Sequence, residues 1–542
     1  MRRHLAVLLF FLVVAAAWSW PAPLLDPQRL PVRHFDLLPA LWLVDQAPHI
    51  GLDLASPDTA WPLGESLARL DSWVLLALSW LLRPLLSAPR LLCLVAWLGP
   101  ALSALSAERA AAMLGARRPW TLVAGLAYGL SGVAASAALE GQIPHLLAPW
   151  LPLCLAMAWR AGDPDGRPLH GLLAGLAAAL ALLTTAYHGL DAALVLLVLG
   201  LRAGRRLPRL LPALVPLLPV LAWLSWAYAR GEGDVVEPRR ILDLAGLGSA
   251  SLASLLSWTP AQDLVGHSVG APLGGLVTVA LLLGWRRRQD RWLLALALLG
   301  LLLALGPVLR LSSGGAGLPS PLALLWHTPA GVVLRFPVRF AWLTALAGGI
   351  VAARLLSEAA PRLPAGARWS LLGLALADVF VVTGMPGRQD SRPVPPALGE
   401  AHGAVLDLFP VAAFPEQSDV EMWARTVSCA RQVSHQRPTL ARCMGTRSGS
   451  PRTTVSAWLL PRLLGPAGPP ADLARVLAGL GVGEVVVHRD FFRPEDLPRL
   501  EGALATALGP PATQTAAGVR FAVPGALAGR EAATRALAGL RP

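Results

Sequence analysis

From Met1 to Gly384 the chain alternates apolar runs with short polar connections, and from Met385 onward it is polar. The runs at about Leu91–Ala112, Trp120–Ala138, Pro144–Trp159, Leu169–Ala186, Gly189–Leu201, Leu207–Ala227, Pro272–Trp285, Arg291–Leu309, Phe336–Leu356 and Trp369–Gly384 predict membrane helices. Met1–Trp20 begins with Arg2, Arg3 and His4 and turns apolar, which fits a cleaved signal peptide or a first anchor; the many runs that follow favour the anchor. Ser72–Ala88 is apolar but short and interrupted by Arg83 and Pro84. In the polar C-terminal part, Ala404–Phe409, Glu484–His488 and Val519–Val523 predict short strands, and Ala471–Leu480 and Glu495–Ala507 predict helices.

The arginine-rich connections at Arg117–Arg118, Arg160–Arg167, Arg202–Arg209, Arg286–Arg291 and Arg354–Arg368 belong on the cytoplasmic side by the positive-inside rule. With the N-terminus inside, all of them agree only if one crossing lies between Asp71 and Arg117. Ser72–Ala88 is then not a full span. The fold class expected is an α-helical polytopic membrane protein of about 11 transmembrane helices over residues 1–384, with an extracytoplasmic α/β domain at 385–542. Residues 21–71, 230–270 and 312–335 become external loops.

Composition narrows the reading further. Hydrophobic residues make up 55% and charged ones 15% of 542 positions, which excludes a water-soluble enzyme. The formal charge of +13 comes from arginine alone, since lysine is absent, and those arginines separate apolar runs instead of forming one face. That pattern speaks for loop bias and against nucleic acid as a partner. Cys93 and Cys154 lie in apolar runs without metal-ligand spacing. Cys429 and Cys443 lie in the polar part and are disulfide candidates if that part is extracytoplasmic.

Polar residues gather at the expected external ends of the runs: Glu140, Gln142 and His145, then Tyr187, His188 and Asp191. Ionisable groups at membrane depth are costly unless they face a cavity or a partner, so they mark either a polar, substrate-binding cavity or simply solvated helix ends. Asp36, in His34-Phe35-Asp36-Leu37-Leu38-Pro39, is a candidate general base toward a hydroxyl, with Asp45, Asp53 and Asp58 as competitors. Arg335 and Arg339 stand one helical turn apart, where two guanidinium forks suit a phosphate or snorkel to lipid headgroups. Asp378, inside the last run, is either the buried partner of an arginine or a residue of the headgroup zone. No phosphate-binding loop, dinucleotide fingerprint, zinc-protease pair or nucleophile elbow stands in a fitting context.

Phe35-Asp36-Leu37-Leu38-Pro39 with Trp42, Trp61-Pro62-Leu63-Gly64, Gly141-Gln142 through Pro149-Trp150-Leu151-Pro152-Leu153, and Arg335-Phe336-Pro337-Val338-Arg339-Phe340 together resemble the GT-C superfamily of membrane glycosyltransferases, in particular the bacterial multispan group that includes the YfhO-type proteins. Gly403–Pro410 and Gly481–His488 look like the extracytoplasmic domain of that group. The resemblance implies a polyprenyl-phosphate-sugar donor, a catalytic acid in the first external loop, here Asp36, and in many members an acidic pair that holds a divalent metal such as Mg or Mn. Asp36 has no acidic neighbour. Arg335 and Arg339 are phosphate-binding candidates on chemical grounds. The function expected is sugar transfer to a glycan, lipid or protein acceptor at the outer face of a bacterial inner membrane. The alternatives are a non-catalytic assembly or accessory protein on the same scaffold, and a secondary transporter or flippase.

Overall fold

The computed structural model describes residues 2–19, 37–50, 55–66 without 57 and 64, 72–230, 249–256, 274–311, 317–328, 334–383 without 335, 402–410, 427–443 without 430, 434, 435 and 442, and 451–540 without 467, 516 and 517. The chain forms two compact units. The first comprises Met1–Leu37, Asp71–Ser225 and Val235–Arg392; the second comprises Leu38–Leu70, Trp226–Asp234 and Pro393–Pro542.

The first unit is helical, and each of the eleven apolar runs of the sequence holds helix. Among the described residues, Ala88–Met113, Thr121–Leu139, Ala186–Arg209 and Pro337–Arg362 are long and apolar enough to cross a membrane; His4–Trp18, Trp73–Leu82, Pro168–Thr184, Leu211–Trp226 and Gly275–Gly284 are apolar but shorter. Trp73–Leu82 has ten residues, about 15 Å at 1.5 Å per residue, which is half a hydrocarbon core.

Small residues set the helix spacing. A Cβ added at Gly129 would lie 2.4 Å from both the Ala104 nitrogen and the Pro100 oxygen, and one at Gly125 would lie 2.7 Å from the Ala104 oxygen. The helices Thr121–Gly129 and Ala88–Met113 therefore touch backbone to backbone, the close approach that small residues permit where lipid supplies no hydrophobic drive between helices. Among the described residues no arginine pairs with Asp378: its Oδ1 accepts the Gly275 amide at 3.3 Å and closes the start of the Gly275–Gly284 helix.

Two of the expected spans are interrupted. The third is split into Thr121–Gly129 and Gly132–Leu139, where the Ser131 hydroxyl accepts the Ala134 amide at 3.2 Å. The fourth is split into Ile143–Leu146 and Trp150–Ala161 by a turn at Leu147–Pro149. Such breaks strand backbone groups inside an apolar bundle, where each must find a partner.

In the second unit the strand Ala404–Leu408 runs parallel to Val482–His488, which pairs antiparallel with Gly518–Ala522, and that strand in turn pairs with Thr513–Gln514. Val482–His488 is buried along its whole length, as its near-continuous apolar run requires. The Leu497–Leu508 helix turns Leu500, Leu504 and Leu508 inward at four-residue spacing. The first loop belongs to this unit: Trp42 Nε1 donates to Gln432 Oε1 at 2.6 Å, the Trp61 indole to the Leu480 carbonyl at 3.1 Å, and Ala60 and Trp61 amides to Ala441 and Thr439 carbonyls at 2.7 and 2.9 Å. Residues 38–70 therefore group with the C-terminal unit, with Trp61 packed against its core, a grouping that the domain boundary at 384/385 did not anticipate. Cys429 and Cys443 form a disulfide.

Asp407, buried on its strand, accepts from Arg431 Nη1 at 3.0 Å and lies 2.8 Å from His488 Nε2. The Arg431 Nη1 to Nε2 approach of 3.0 Å cannot also be a bond if Nε2 carries the proton, and the shorter, charge-assisted contact to the carboxylate places the proton there. The His488 ring stacks on Phe409 with centroids 4.3 Å apart.

Gly129→Ala lowers the thermal midpoint in detergent, by about 1–3 kcal/mol of overpacking strain or more, whereas Gly373→Ala, with open space around it, is neutral or slightly stabilising; equal midpoints would refute the backbone contact. Burial pushes the His488 imidazole below its ordinary value, against the raising effect of Asp407. The unfolded chain then binds that proton first, so stability present above about pH 6.5 is lost as the pH falls below it. Amide exchange of the 482–488 strand, corrected for intrinsic rate, accelerates between about pH 7 and pH 5 in the wild type and does so less in His488→Gln; identical profiles would remove His488 from that dependence.

Candidate functional site

The Ile143–Pro149 turn supplies four carbonyls to the interior of the first unit, and side chains from neighbouring helices take all four. His188 Nε2 donates to the His145 carbonyl at 3.0 Å, Ser103 Oγ to Leu146 at 3.2 Å, Tyr128 Oη to Ala148 at 2.9 Å and Ser106 Oγ to Pro149 at 2.6 Å. Ser103 Oγ also accepts the Ala148 amide at 3.1 Å. Since a carbonyl only accepts, the first of these contacts puts the His188 proton on Nε2 and leaves Nδ1 an acceptor in the neutral ring.

His188 is held in place from its own side. Thr185 is extended between the helices Pro168–Thr184 and Ala186–Ala203, and its hydroxyl accepts the His188 amide at 3.1 Å. Gly189 lets the two helices meet, because a Cβ there would lie 2.8 Å from Leu182 Cα. Tyr187 and His188 thus occupy the first turn of a helix and Asp191 the next.

Around this point the rings interlock. His145 and His188 have centroids 5.5 Å apart, His188 and Trp342 5.4 Å, Trp342 and Tyr128 5.3 Å, and Tyr187 and Phe340 5.8 Å. Arg339, in the turn Pro337–Phe340, has its guanidinium carbon 4.7 Å from the centroids of both Tyr187 and Phe336. The Phe336 amide donates to the Tyr187 hydroxyl at 2.7 Å, which ties the two rings together. Among the described residues Arg339 has no carboxylate within ion-pair distance and no hydrogen-bond acceptor, so ring faces hold its charge and its five N–H donors stay uncommitted.

Asp191 is completely buried and neither carboxylate oxygen has a hydrogen-bond partner among the described residues; the same holds for Nδ1 of His145 and of His188. Leaving such groups unpaired costs about 1–3 kcal/mol each, which a ligand's hydroxyls or a bound water would offset. The arrangement offers a flat cation for an anion beside acceptors for hydroxyl groups.

Of the candidates from the sequence, His145, His188 and Arg339 converge, and Asp191 lies one turn beyond His188. Glu140 caps the Gly132–Leu139 helix, half-buried, three residues before Ile143. Asp36 and Arg335 lie outside the described residues, as does Asp53. Leu37, the covalent neighbour of Asp36, packs on Gly141, which must be glycine because its φ is +69° and a Cβ there would lie 2.8 Å from the Leu37 nitrogen. Asp45 lies in the second unit and accepts from Gln436 Nε2 at 2.8 Å. Ser103, Ser106, Tyr128 and Trp342 did not figure among the candidates; the signal for the first three was a hydroxyl inside an apolar run. Among the described residues no three His, Cys, Asp or Glu side chains converge on a point that could hold a metal ion, and Asp36, to which the Mg or Mn expectation attaches, lies outside them.

No family model matches the chain, and no curated protein matches it in sequence. Solved structures do. Arabinofuranosyltransferase AftD from mycobacteria superposes with a TM-score of 0.56 at 18% identity, over 95% of this chain and 40% of that one. ArnT from Cupriavidus metallidurans, bound to undecaprenyl phosphate, superposes with a TM-score of 0.51 at 14% identity, over 96% of this chain and 98% of that one. The chain has the GT-C fold. It is a membrane protein that spans about 40% of the length of AftD and nearly all of ArnT.

Asp191→Leu replaces the two unpartnered oxygens by an apolar side chain of similar size, so it raises the thermal midpoint, by up to about 1–3 kcal/mol. A fall in the midpoint would show that the carboxylate serves the fold.

Proposed function

We propose that this chain transfers a sugar from a polyprenyl-phosphate-linked donor to a glycan, lipid or protein acceptor at the outer face of a bacterial inner membrane, with the N-terminus cytoplasmic and residues 385–542 extracytoplasmic. The observation that carries the reading is the Arg339 guanidinium, held between Tyr187 and Phe336 with its donors uncommitted among the described residues and adjoined by buried His145 and His188 nitrogens that have no partner among them. ArnT, which shares the fold, is described bound to undecaprenyl phosphate.

The donor phosphate lies against Arg339, with Arg335 one turn away in sequence as the second guanidinium, and the sugar hydroxyls meet Glu140, His145, His188 and Asp191. Asp36 takes the proton from the acceptor hydroxyl. The acceptor oxygen attacks the anomeric carbon as the bond from that carbon to the phosphate oxygen breaks, so the configuration inverts. Charge grows on the departing phosphate, and a fixed guanidinium binds it more strongly in the transition state than in the ground state. The cost of keeping Arg339 without a carboxylate partner has its reason in that difference.

Arg339→Ala lowers kcat/KM for transfer by about 10²–10³-fold, the loss of a charge-assisted bidentate contact in a dry site, and Asp36→Asn abolishes transfer while donor binding persists. Transfer from a panel of polyprenyl-phosphate sugars by the purified protein in nanodiscs measures both. Unchanged turnover in both variants would refute the reading; donor binding without turnover in the wild type would leave an accessory protein on the same scaffold.

A further inference from the structure

The opposite ends of these same helices carry a second basic site. Arg339 and Arg354 stand fifteen residues apart along one helix and His188 and Arg202 fourteen apart along another, about 21–22 Å at 1.5 Å per residue. There a cleft of about 700 Å³ is lined by Trp159, Asp163, Arg202, Arg288, Gln289, Arg291, Trp292 and Arg354, among others. Four guanidinium groups face one carboxylate.

Two of the four are committed. Arg202 Nη2 pairs with Asp163 Oδ1 at 2.6 Å and its plane lies 3.9 Å above the Trp159 ring; Arg354 Nε pairs with Asp290 Oδ1 at 3.0 Å. Arg288 and Arg291 have no carboxylate or hydrogen-bond acceptor among the described residues, and Arg291 only adjoins the Trp292 ring at 5.3 Å. Both stand at the start of the Arg291–Ala304 helix. Unsatisfied amides make that end positive, so cations there oppose the helix dipole. Asp290, which would compensate, is already bound by Arg287 and Arg354. Helix stability therefore gives no reason for the two arginines, and a bound anion would relieve both them and the dipole.

The surroundings select the kind of anion. Leu282 and Trp285, just before the arginines, are 74% exposed, an apolar surface that lipid covers, and Trp285, Trp292 and Trp159 have the amphipathic character of residues at a bilayer boundary. A phosphate that arrives with acyl chains satisfies cleft and apolar face together. We infer that Arg288 and Arg291, with the cleft between Trp159 and Trp292, form a binding site for the headgroup of an anionic phospholipid, distinct from the Arg339 site.

Native mass spectrometry of the full chain from phosphatidylcholine nanodiscs doped with phosphatidylglycerol tests this. The wild type retains phosphatidylglycerol selectively, and Arg288→Ala/Arg291→Ala lowers that retention about tenfold or more, while Arg362→Ala/Arg368→Ala, two exposed arginines outside the cleft with the same loss of charge, leaves it intact. Equal retention by all three proteins, or equal loss in both variants, would overturn the site. Inorganic phosphate or glycerol phosphate displacing the lipid at matched concentration would overturn the lipid as its source.

Discussion

A backbone that leaves the helix inside an apolar bundle has to bring its partners with it. The turn at Leu147–Pro149 does so: its neighbouring carbonyls are met by Ser103 and Ser106 from one helix, Tyr128 from a second and His188 from a third. Each missing bond would cost about 1–3 kcal/mol in a dry interior. The four together fix three helices against one turn, and that turn carries His145. The position of the candidate site is thus a consequence of how a broken helix is satisfied, and His188 serves both: one ring nitrogen holds the turn, and the other faces the site without a partner.

The acids of the first unit divide along the same line. Glu108, buried, meets Arg118 at 3.1 Å, Arg109 at 3.2 Å and the Thr121 hydroxyl at 2.9 Å; Asp290, buried, meets Arg354 at 3.0 Å and Arg287 at 3.1 Å, and Arg287 also pairs with Glu358. These are compensated charges, and they explain themselves as scaffold. Asp191 is buried as deeply and has no such partner among the described residues. A fold that compensates its other buried acids and leaves this one bare is one in which the bare carboxylate is kept for something outside the chain.

Much of the scaffold was legible in the sequence, because apolar runs of sufficient length have few other solutions in a bilayer. Ser72–Ala88 was set aside by parity of crossings; its helix Trp73–Leu82 has ten residues, as does Gly275–Gly284 within an expected span, so length alone does not separate the two. The central strand was readable from Val485-Val486-Val487. The breaks within the third and fourth spans were not, since an all-apolar segment has no periodicity for a break to interrupt; only Ser131-Gly132 and Pro149 hinted at them. Nor could the sequence place residues 38–70 with the C-terminal sheet, because that grouping rests on bonds such as Trp42 to Gln432 across 390 positions. The site was legible as residue types at helix ends, but the meeting of His145, His188 and Arg339 is a product of tertiary packing, and the hydroxyls that hold it in place look like filler in an apolar run.

The two ways in which this chain holds an arginine show what sets the site apart. Arg202 lies over Trp159 and also pairs with Asp163, so ring and carboxylate together consume its charge and its donors. Arg339 has two rings and, among the described residues, no carboxylate. Aromatic faces attract the cation through their quadrupoles yet accept few hydrogen bonds, so they locate a guanidinium without using its fork. A carboxylate in their place would hold the side chain more tightly and leave it neutralised. Rings therefore solve a problem that an ion pair cannot, which is to fix a positive charge at the edge of an apolar interior while keeping both arms of the fork open to an incoming anion.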